Sequence, residues 1–158
     1  MPALNKKRNL YEYVSGYVDG EGCFSVSFSR RQKFLVGWET KPSFSVSQNE
    51  ERSQVLLLMK DYFGCGFMRR DFSDKTLKYE VRSLDDLIQK IIPHFNKYPL
   101  LSSKQKDFEL FKRVCYLMKE GRHRVASGLE QAVTLAYQMN PGGKRKYTKE
   151  DILVSVLR

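Results

Sequence analysis

The sequence predicts an α+β fold in which helices pack on one face of an antiparallel sheet. Two stretches near the start, Cys23–Arg31 and Lys41–Gln48, alternate apolar and polar residues with period two. A second pair, Gly66–Arg70 and Lys75–Arg82, follows a stretch of helical period. Each pair is near enough in sequence to close a hairpin. Hairpins interleaved with helical stretches point to α+β rather than to a parallel sheet.

The elements follow in order. Leu10–Gly20 reads as a helix, because Leu10, Tyr13, Val14, Tyr17 and Val18 recur near helical spacing. It also carries Gly16 and Gly20, and a glycine inside a helix costs up to about 1 kcal/mol against alanine. The two glycines share one face, a spacing that lets another backbone come close. In the first strand Phe24, Val26 and Phe28 alternate with Ser25, Ser27, Ser29 and Arg31. In the second, Pro42, Phe44 and Val46 alternate with Lys41, Ser43, Ser45 and Ser47. Each strand therefore turns one face to the core and one to solvent, and the basic segment Arg31–Gly37 connects them. Arg52–Phe63 reads as a helix stopped by Gly64. In the second hairpin Leu77, Tyr79 and Val81 face inward, and Lys78, Glu80 and Arg82 face outward. Ser83 and Asp86 form an approximate capping box for a helix with the stripe Leu84, Leu87, Ile88, Ile91 and Ile92, which Pro93 ends or kinks. Ser102 or Ser103 caps a helix running to about Met118, and another covers roughly Val125–Gln138. Asn140-Pro141-Gly142-Gly143 breaks the chain, Lys144-Arg145-Lys146 lies in a loop, and Thr148 caps a last helix ending near Leu157.

The 158 residues show no internal repeat or linker, so the expectation is one domain over 1–158. A hydrophobic share of 41% with 13% aromatics is enough for a core and argues against disorder. No apolar run reaches the roughly 18 residues that a membrane span needs. Met1–Asn9 is basic without an apolar signal core, so an intracellular protein is expected, in a bacterial or archaeal cytoplasm or an organelle. The cysteines Cys23, Cys65 and Cys115 stand far apart, and the histidines are His94 and His123. A disulfide framework and a zinc site are both disfavoured, and a buried structural role is the default for each thiol. Lys plus Arg number 28 against 18 Asp plus Glu, a formal charge of +10 that favours nucleic acid or another acidic surface.

The segment Val14-Ser15-Gly16-Tyr17-Val18-Asp19-Gly20-Glu21-Gly22 carries most of the functional signal. Glu21 falls at a helix C-terminus, where the dipole disfavours negative charge by about 0.3–1 kcal/mol. An acid there is either well exposed or holding a cation. This segment resembles the LAGLIDADG signature of homing endonucleases: it keeps Gly16, Asp19 and an acid at Glu21, with Ser15 in place of the usual Ala. The element order resembles that family's αββαββα core with extra C-terminal helices, and looks closest to the single-motif, homodimeric branch from group I introns.

The resemblance implies a saddle-like sheet that binds double-stranded DNA, with helices on its other face. It implies a homing endonuclease making a staggered double-strand break with 3′ overhangs in a long, near-palindromic site. Glu21 matches the metal-binding acid, with Gly20 beside it as a metal ligand, and Asp19 reads as a structural cap. Gln48 matches a polar residue that orients a solvent molecule, Arg52 a basic active-site residue, and Lys104 the active-site lysine. Read singly, these would be a strand-end amide, a surface arginine and a helix-cap charge; together they point to phosphodiester hydrolysis. The implied cofactor is Mg2+, with Mn2+ substituting and Ca2+ supporting binding without cleavage. Tyr13, Gly16, Tyr17 and Gly20 would form the dimer interface. Ser25, Ser27, Ser29, Arg31, Lys33, Lys41, Ser43, Ser45, Phe67, Arg69, Lys75, Lys78 and Glu80 would face DNA, arginine reading guanine and Glu80 accepting from cytosine. Lys144, Arg145 and Lys146 would touch phosphates. The alternatives are an RNA maturase acting on its host intron, favoured less because Glu21, Gln48 and Lys104 are all kept, and a non-catalytic DNA-binding regulator.

Overall fold

A computed structural model describes residues 9–156. The basic stretch Met1–Asn9 therefore falls, apart from Asn9, outside the described residues, as does Leu157. The chain runs α1 (Leu10–Glu21), β1 (Gly22–Arg30), β2 (Trp38–Asn49), a 3-10 turn (Glu50–Arg52), α2 (Gln54–Phe63), β3 (Phe67–Asp71) and β4 (Thr76–Val81). It continues through α3 (Leu84–Asp86), a π turn (Leu87–Ile91), α4 (Ile92–Lys97), α5 (Lys104–Lys119), a 3-10 turn (Arg122–Arg124), α6 (Ala126–Ala136) and α7 (Lys149–Val156). The α+β architecture and the αββαββ order are those the sequence indicates.

The four strands form one antiparallel sheet in the order β1-β2-β4-β3. Phe24 pairs with Phe44, and Phe44 with Val81, so the inward rows of neighbouring strands coincide. Phe24, Phe44 and Tyr79 are buried, and the Phe24 ring lies 5.3–5.4 Å from those of Phe44, Phe95, Phe108 and Phe111. Helices α4 and α5 thus cover the inner face, and the outer face is left to serines and charges.

Caps follow local chemistry. The Asn9 side chain accepts from the amides of Tyr11 and Glu12 at the start of α1. Gly64 ends α2 at φ 67°, a left-handed conformation that glycine adopts without a Cβ penalty. Ser83 accepts from the Asp86 amide, and Thr148 and Asp151 cap α7 reciprocally. At Gly22 the chain turns from α1 straight into β1. A Cβ there would stand 2.6 Å from Val18 Cγ1 and 2.8 Å from the Val18 carbonyl oxygen, so the abrupt turn requires glycine.

Three expectations differ in detail. The second strand starts at Trp38, not Lys41, because Trp38 and Thr40 continue its inward alternation and are buried. Arg52 lies in the 3-10 turn, ahead of α2 rather than within it. Pro93 does not end its helix. The π turn over Leu87–Ile91 precedes it and α4 continues through it, the wider turn opening where the ring has no N–H to donate.

Candidate active site and nucleic-acid interface

Two helix ends meet at Glu21 and are locked to each other. Asp19, in the last turn of α1, accepts hydrogen bonds from the backbone of Leu101 at 3.0 Å and of Ser102 at 3.0 Å, and from the Ser102 hydroxyl. That hydroxyl in turn accepts from the Lys104 amide, so Asp19 is tied to the N-terminal turn of α5. In the other direction, Lys104 reaches back and donates from Nζ to the Val18 carbonyl at 3.0 Å. The last turn of α1 has no cation of its own, and Lys104 supplies one to its negative end. Desolvation pushes the Asp19 pKa up, but the Ser102 and Leu101 hydrogen bonds and the Lys104 charge outweigh it, so Asp19 is held below the ordinary carboxylate value. Its structural reading fits this geometry.

Glu21 closes α1 and is exposed. Gln48, at the far end of β2, donates from Nε2 to the Tyr17 hydroxyl at 2.7 Å, and its Oε1 accepts from the Asn49 amide at 2.8 Å. Its amide is thereby oriented against α1. Arg52 is exposed and forms no ion pair among the described residues. The rear of α1 is fixed by a buried polar relay. The Ser15 hydroxyl donates to the Tyr98 carbonyl at 2.6 Å and lies 3.0 Å from His94 Nε2, while the Tyr62 hydroxyl lies 2.8 Å from His94 Nδ1. Desolvation lowers the His94 pKa to about 4, so the ring is neutral. With the Ser15 proton directed at Tyr98, His94 Nε2 carries the hydrogen and Nδ1 accepts from Tyr62.

The opposite side of α1 is open. Tyr13, Gly16 and Gly20 are exposed, and a Cβ built on either glycine meets nothing within 4 Å. Tyr17, the fourth residue expected there, is half-buried and engaged with Gln48.

From Glu21 a groove of about 610 Å³ runs over the outer face of the sheet, lined by Cys23, Ser25, Ser27, Lys41, Ser43, Ser45, Lys78 and Glu80. Seven of the expected contacts, Ser25, Ser27, Lys41, Ser43, Ser45, Lys78 and Glu80, are therefore brought together in one groove with Glu21. Ser29 lies 3.5 Å from Glu39, which Arg31 engages at 2.8 Å. Lys33 stands over the Phe34 ring in the β1–β2 turn. Phe67 is part-exposed beneath Arg82. Lys75 lies in the β3–β4 turn at φ 57° rather than in β4. The groove also takes in Ser47, Glu39 and Arg82, which the sequence reading left out. Continuing the outward alternation by one step along β2 and β4 finds Ser47 and Arg82. Cys23, expected to be buried, is half-buried and lines this groove.

Two assignments change. Glu80, expected to accept from cytosine, is only 6% exposed: Ser43 donates to Oε1 at 3.1 Å, and Oε2, which accepts no hydrogen bond among the described residues, lies 2.9 Å from the Arg82 guanidinium. Arg145, expected at phosphate, donates instead to the carbonyls of Val26 at 2.8 Å and Ala136 at 2.6 Å, with its guanidinium 4.3 Å above the Tyr137 ring. With Asn140 donating to the Phe24 carbonyl at 2.8 Å, it covers the otherwise free edge of β1. Lys144 and Lys146 on the same loop remain exposed.

The sequence model of the LAGLIDADG endonuclease family matches residues 14–115, from α1 to α5. The chain belongs to this family. Similar proteins include a "Probable intron-encoded endonuclease 2" of Neurospora crassa, 30% identical over 131 residues, which are 82% of this chain and 29% of that protein. The chain spans no more than 29% of the first three curated relatives it matches. Among solved structures, the homing endonuclease I-TnaI superposes with a TM-score of 0.81 at 31% identity, over 93% of this chain and 95% of that one. The LAGLIDADG homing endonuclease I-SmaMI bound to cleaved DNA superposes with a TM-score of 0.82 at 32% identity, over 96% of this chain but 48% of that one. Among the described residues, no helix is long and apolar enough to cross a membrane.

Proposed function

We propose that this LAGLIDADG protein is a site-specific, Mg2+-dependent DNA endonuclease that works as a homodimer, with residues 1–158 forming one half of the catalytic unit. The observation that carries this reading is the Asp19–Ser102 and Lys104–Val18 cross-lock, which joins Glu21 to the end of a cation- and serine-lined groove. The similar endonuclease I-SmaMI is bound to an uncleaved DNA target in one solved structure and to cleaved DNA in another.

Glu21 and the Gly20 carbonyl are hard oxygen donors at an open helix end, the donor type that Mg2+ takes. Among the described residues no cluster of three His, Cys, Asp or Glu side chains could hold a metal alone. Glu21 and the Gly20 carbonyl would therefore hold the ion together with ligands from outside one protomer, such as phosphate oxygens. Bound there, the ion supplies an activated water and neutralises charge on the phosphate. Lys104 and Arg52 bring positive charge to the oxyanion that develops as the strand is cut. Gln48, with its amide fixed against Tyr17, is a positioning group for water rather than a base. Two copies joined through the Gly16 and Gly20 faces set one Glu21 against each strand, giving a staggered cut with 3′ overhangs in a near-palindrome.

The test is selection of duplexes from a random pool in Ca2+, followed by transfer of the selected duplexes to Mg2+. Wild type cuts both strands near the centre of the selected site, and Mn2+ substitutes. Glu21→Gln retains binding and loses about 10²–10³-fold in cleavage rate, the size of effect seen when a key electrostatic group is removed. Unchanged cleavage by the variant would overturn the metal role. Gly20→Leu, whose side chain enters open space in the monomer, converts a dimeric sedimenting mass to a monomeric one. An unchanged mass would refute the helix-pair interface.

A further inference from the structure

Resting on that reading, we infer that Arg82 is a specificity-determining residue that reads a guanine in the major groove, held in reading position by the buried acid Glu80. Glu80 is the one acid on the outward rows of the central strands that is almost wholly covered, at 6% exposure. Arg82 Nη2 lies 2.9 Å from Glu80 Oε2 and Arg69 Nε lies 3.7 Å from the same oxygen, ion-pair contacts to an oxygen that accepts no hydrogen bond among the described residues. Ser43 donates to the other oxygen at 3.1 Å. The Arg82 guanidinium also lies 5.3 Å from the centre of the Phe67 ring, so it stands between a buried carboxylate and an aromatic face.

Glu80 is oriented the wrong way for affinity alone. A carboxylate in a DNA-binding groove repels the polyanion and subtracts from the electrostatic gain of binding. It is suited to selectivity, because it disfavours phosphate beside Arg82 while leaving a neutral base edge unaffected. Arg82 remains 59% exposed and makes no hydrogen bond among the described residues, so its donors stay open to the groove. A guanidinium drawn to one spot by a carboxylate and a ring can present a pair of N–H groups to O6 and N7 of guanine, the commonest specific contact in the major groove. An arginine that only neutralises phosphate requires neither the ring nor the acid.

The sheet register locates the base. Gly22 pairs with Val46, so Glu21 falls on the row of Ser47; Phe44 pairs with Val81, so Arg82 falls on the row of Ser43. Those rows are separated by four residues of β2, about 13–14 Å at the rise of a strand. At about 3.4 Å per base pair, the guanine lies about four base pairs outward from the row of the cutting centre. Arg69, which pairs with Lys78 opposite Ser47, is on the row of Glu21 itself and is the weaker partner of Glu80.

The experiment substitutes every base pair of one half of the selected duplex in turn and measures binding in Ca2+ and cleavage in Mg2+. Wild type, Arg82→Ala, Arg82→Lys and Glu80→Gln are compared. Wild type disfavours the three other bases at one position, about four pairs from the cut, by roughly 5- to 150-fold. Arg82→Ala abolishes the preference at that position and leaves the others within about twofold. Arg82→Lys keeps overall affinity while losing most of the discrimination, because an ammonium lacks the planar fork. Glu80→Gln lowers the same preference without moving the remaining profile. Arg82 is exposed, so its variants fold even if the Glu80 variant does not. A uniform loss of affinity across all sequences in Arg82→Ala would make Arg82 a phosphate contact and overturn the proposal. Absence of any selective duplex binding by wild type would instead overturn the endonuclease reading, and this proposal with it.

Discussion

The two faces of the sheet are built from the same strands and obey opposite rules. The inner face is Phe24, Val26, Phe44, Val46, Tyr79 and Val81, each at most 1% exposed. The outer face carries Ser25, Ser27, Ser43, Ser47, Lys41 and Lys78, half-buried or exposed, and opens into the groove. Residues that differ by one position along β1 or β2 therefore serve different ends. The inner residues hold the fold, and the outer ones can change at little expense in stability. Small hydroxyls between the charged side chains keep the groove floor low and leave room for bridging water. Glu80 is the exception on the outer face, a buried charge kept for what it does to its neighbours.

The comparison can be tested by substitution. Truncating Phe44, which touches Phe24, Phe63, Tyr79 and Phe95 in the core, to alanine should destabilise the protein by about 3–5 kcal/mol in urea unfolding. A loss below 1 kcal/mol would mean that the inner face is not the principal core.

Acid should strike the inner side next. His94 has a folded pKa of about 4, below its unfolded value near 6.5, so the unfolded chain takes up the proton first. Stability is therefore full above about pH 6.5 and falls by about 1–3 kcal/mol as the pH drops towards 4, after allowance for solvent screening. The slope in that window should vanish in His94→Gln; its persistence would place the titration elsewhere. Asp19 and Glu39, both lowered, act below this window.

The smallest stability effects belong to the outer face. Ser27→Ala should change stability by less than about 0.5 kcal/mol. Lys144→Ala should likewise leave folding unchanged while reducing the slope of log affinity against log salt by about 1. An unaltered slope would remove Lys144 from the phosphate contacts.

Local pattern was sufficient for much of the molecule. Period two separated the faces of β1, β2 and β4, because successive side chains of a strand must point to opposite sides. Gly64, Ser83 and Thr148 announced helix ends because a cap acts over three or four residues. The motif segment located Glu21 and the open glycine face. Trp38 was missed because the basic loop before it masks the start of the alternation, and the π turn ahead of Pro93 was not foreseen because it has no simple sequence signal.

The sequence by itself determined which residues face inward, where the acid of the motif stands, and that the surface is basic. Tertiary structure alone decided what the charged side chains do there. Asp19 meets Ser102 and Lys104 meets Val18 across more than 80 residues of chain, and Arg145 reaches Val26 across 119. Glu80 is enclosed only because Ser43, Arg69 and Arg82 converge on it from separate stretches of chain. A charged side chain is long and takes whatever partner folding brings within about 3 Å, so its role follows from burial and neighbours. An apolar residue needs only to leave water, and its spacing along the chain already says which way it will turn.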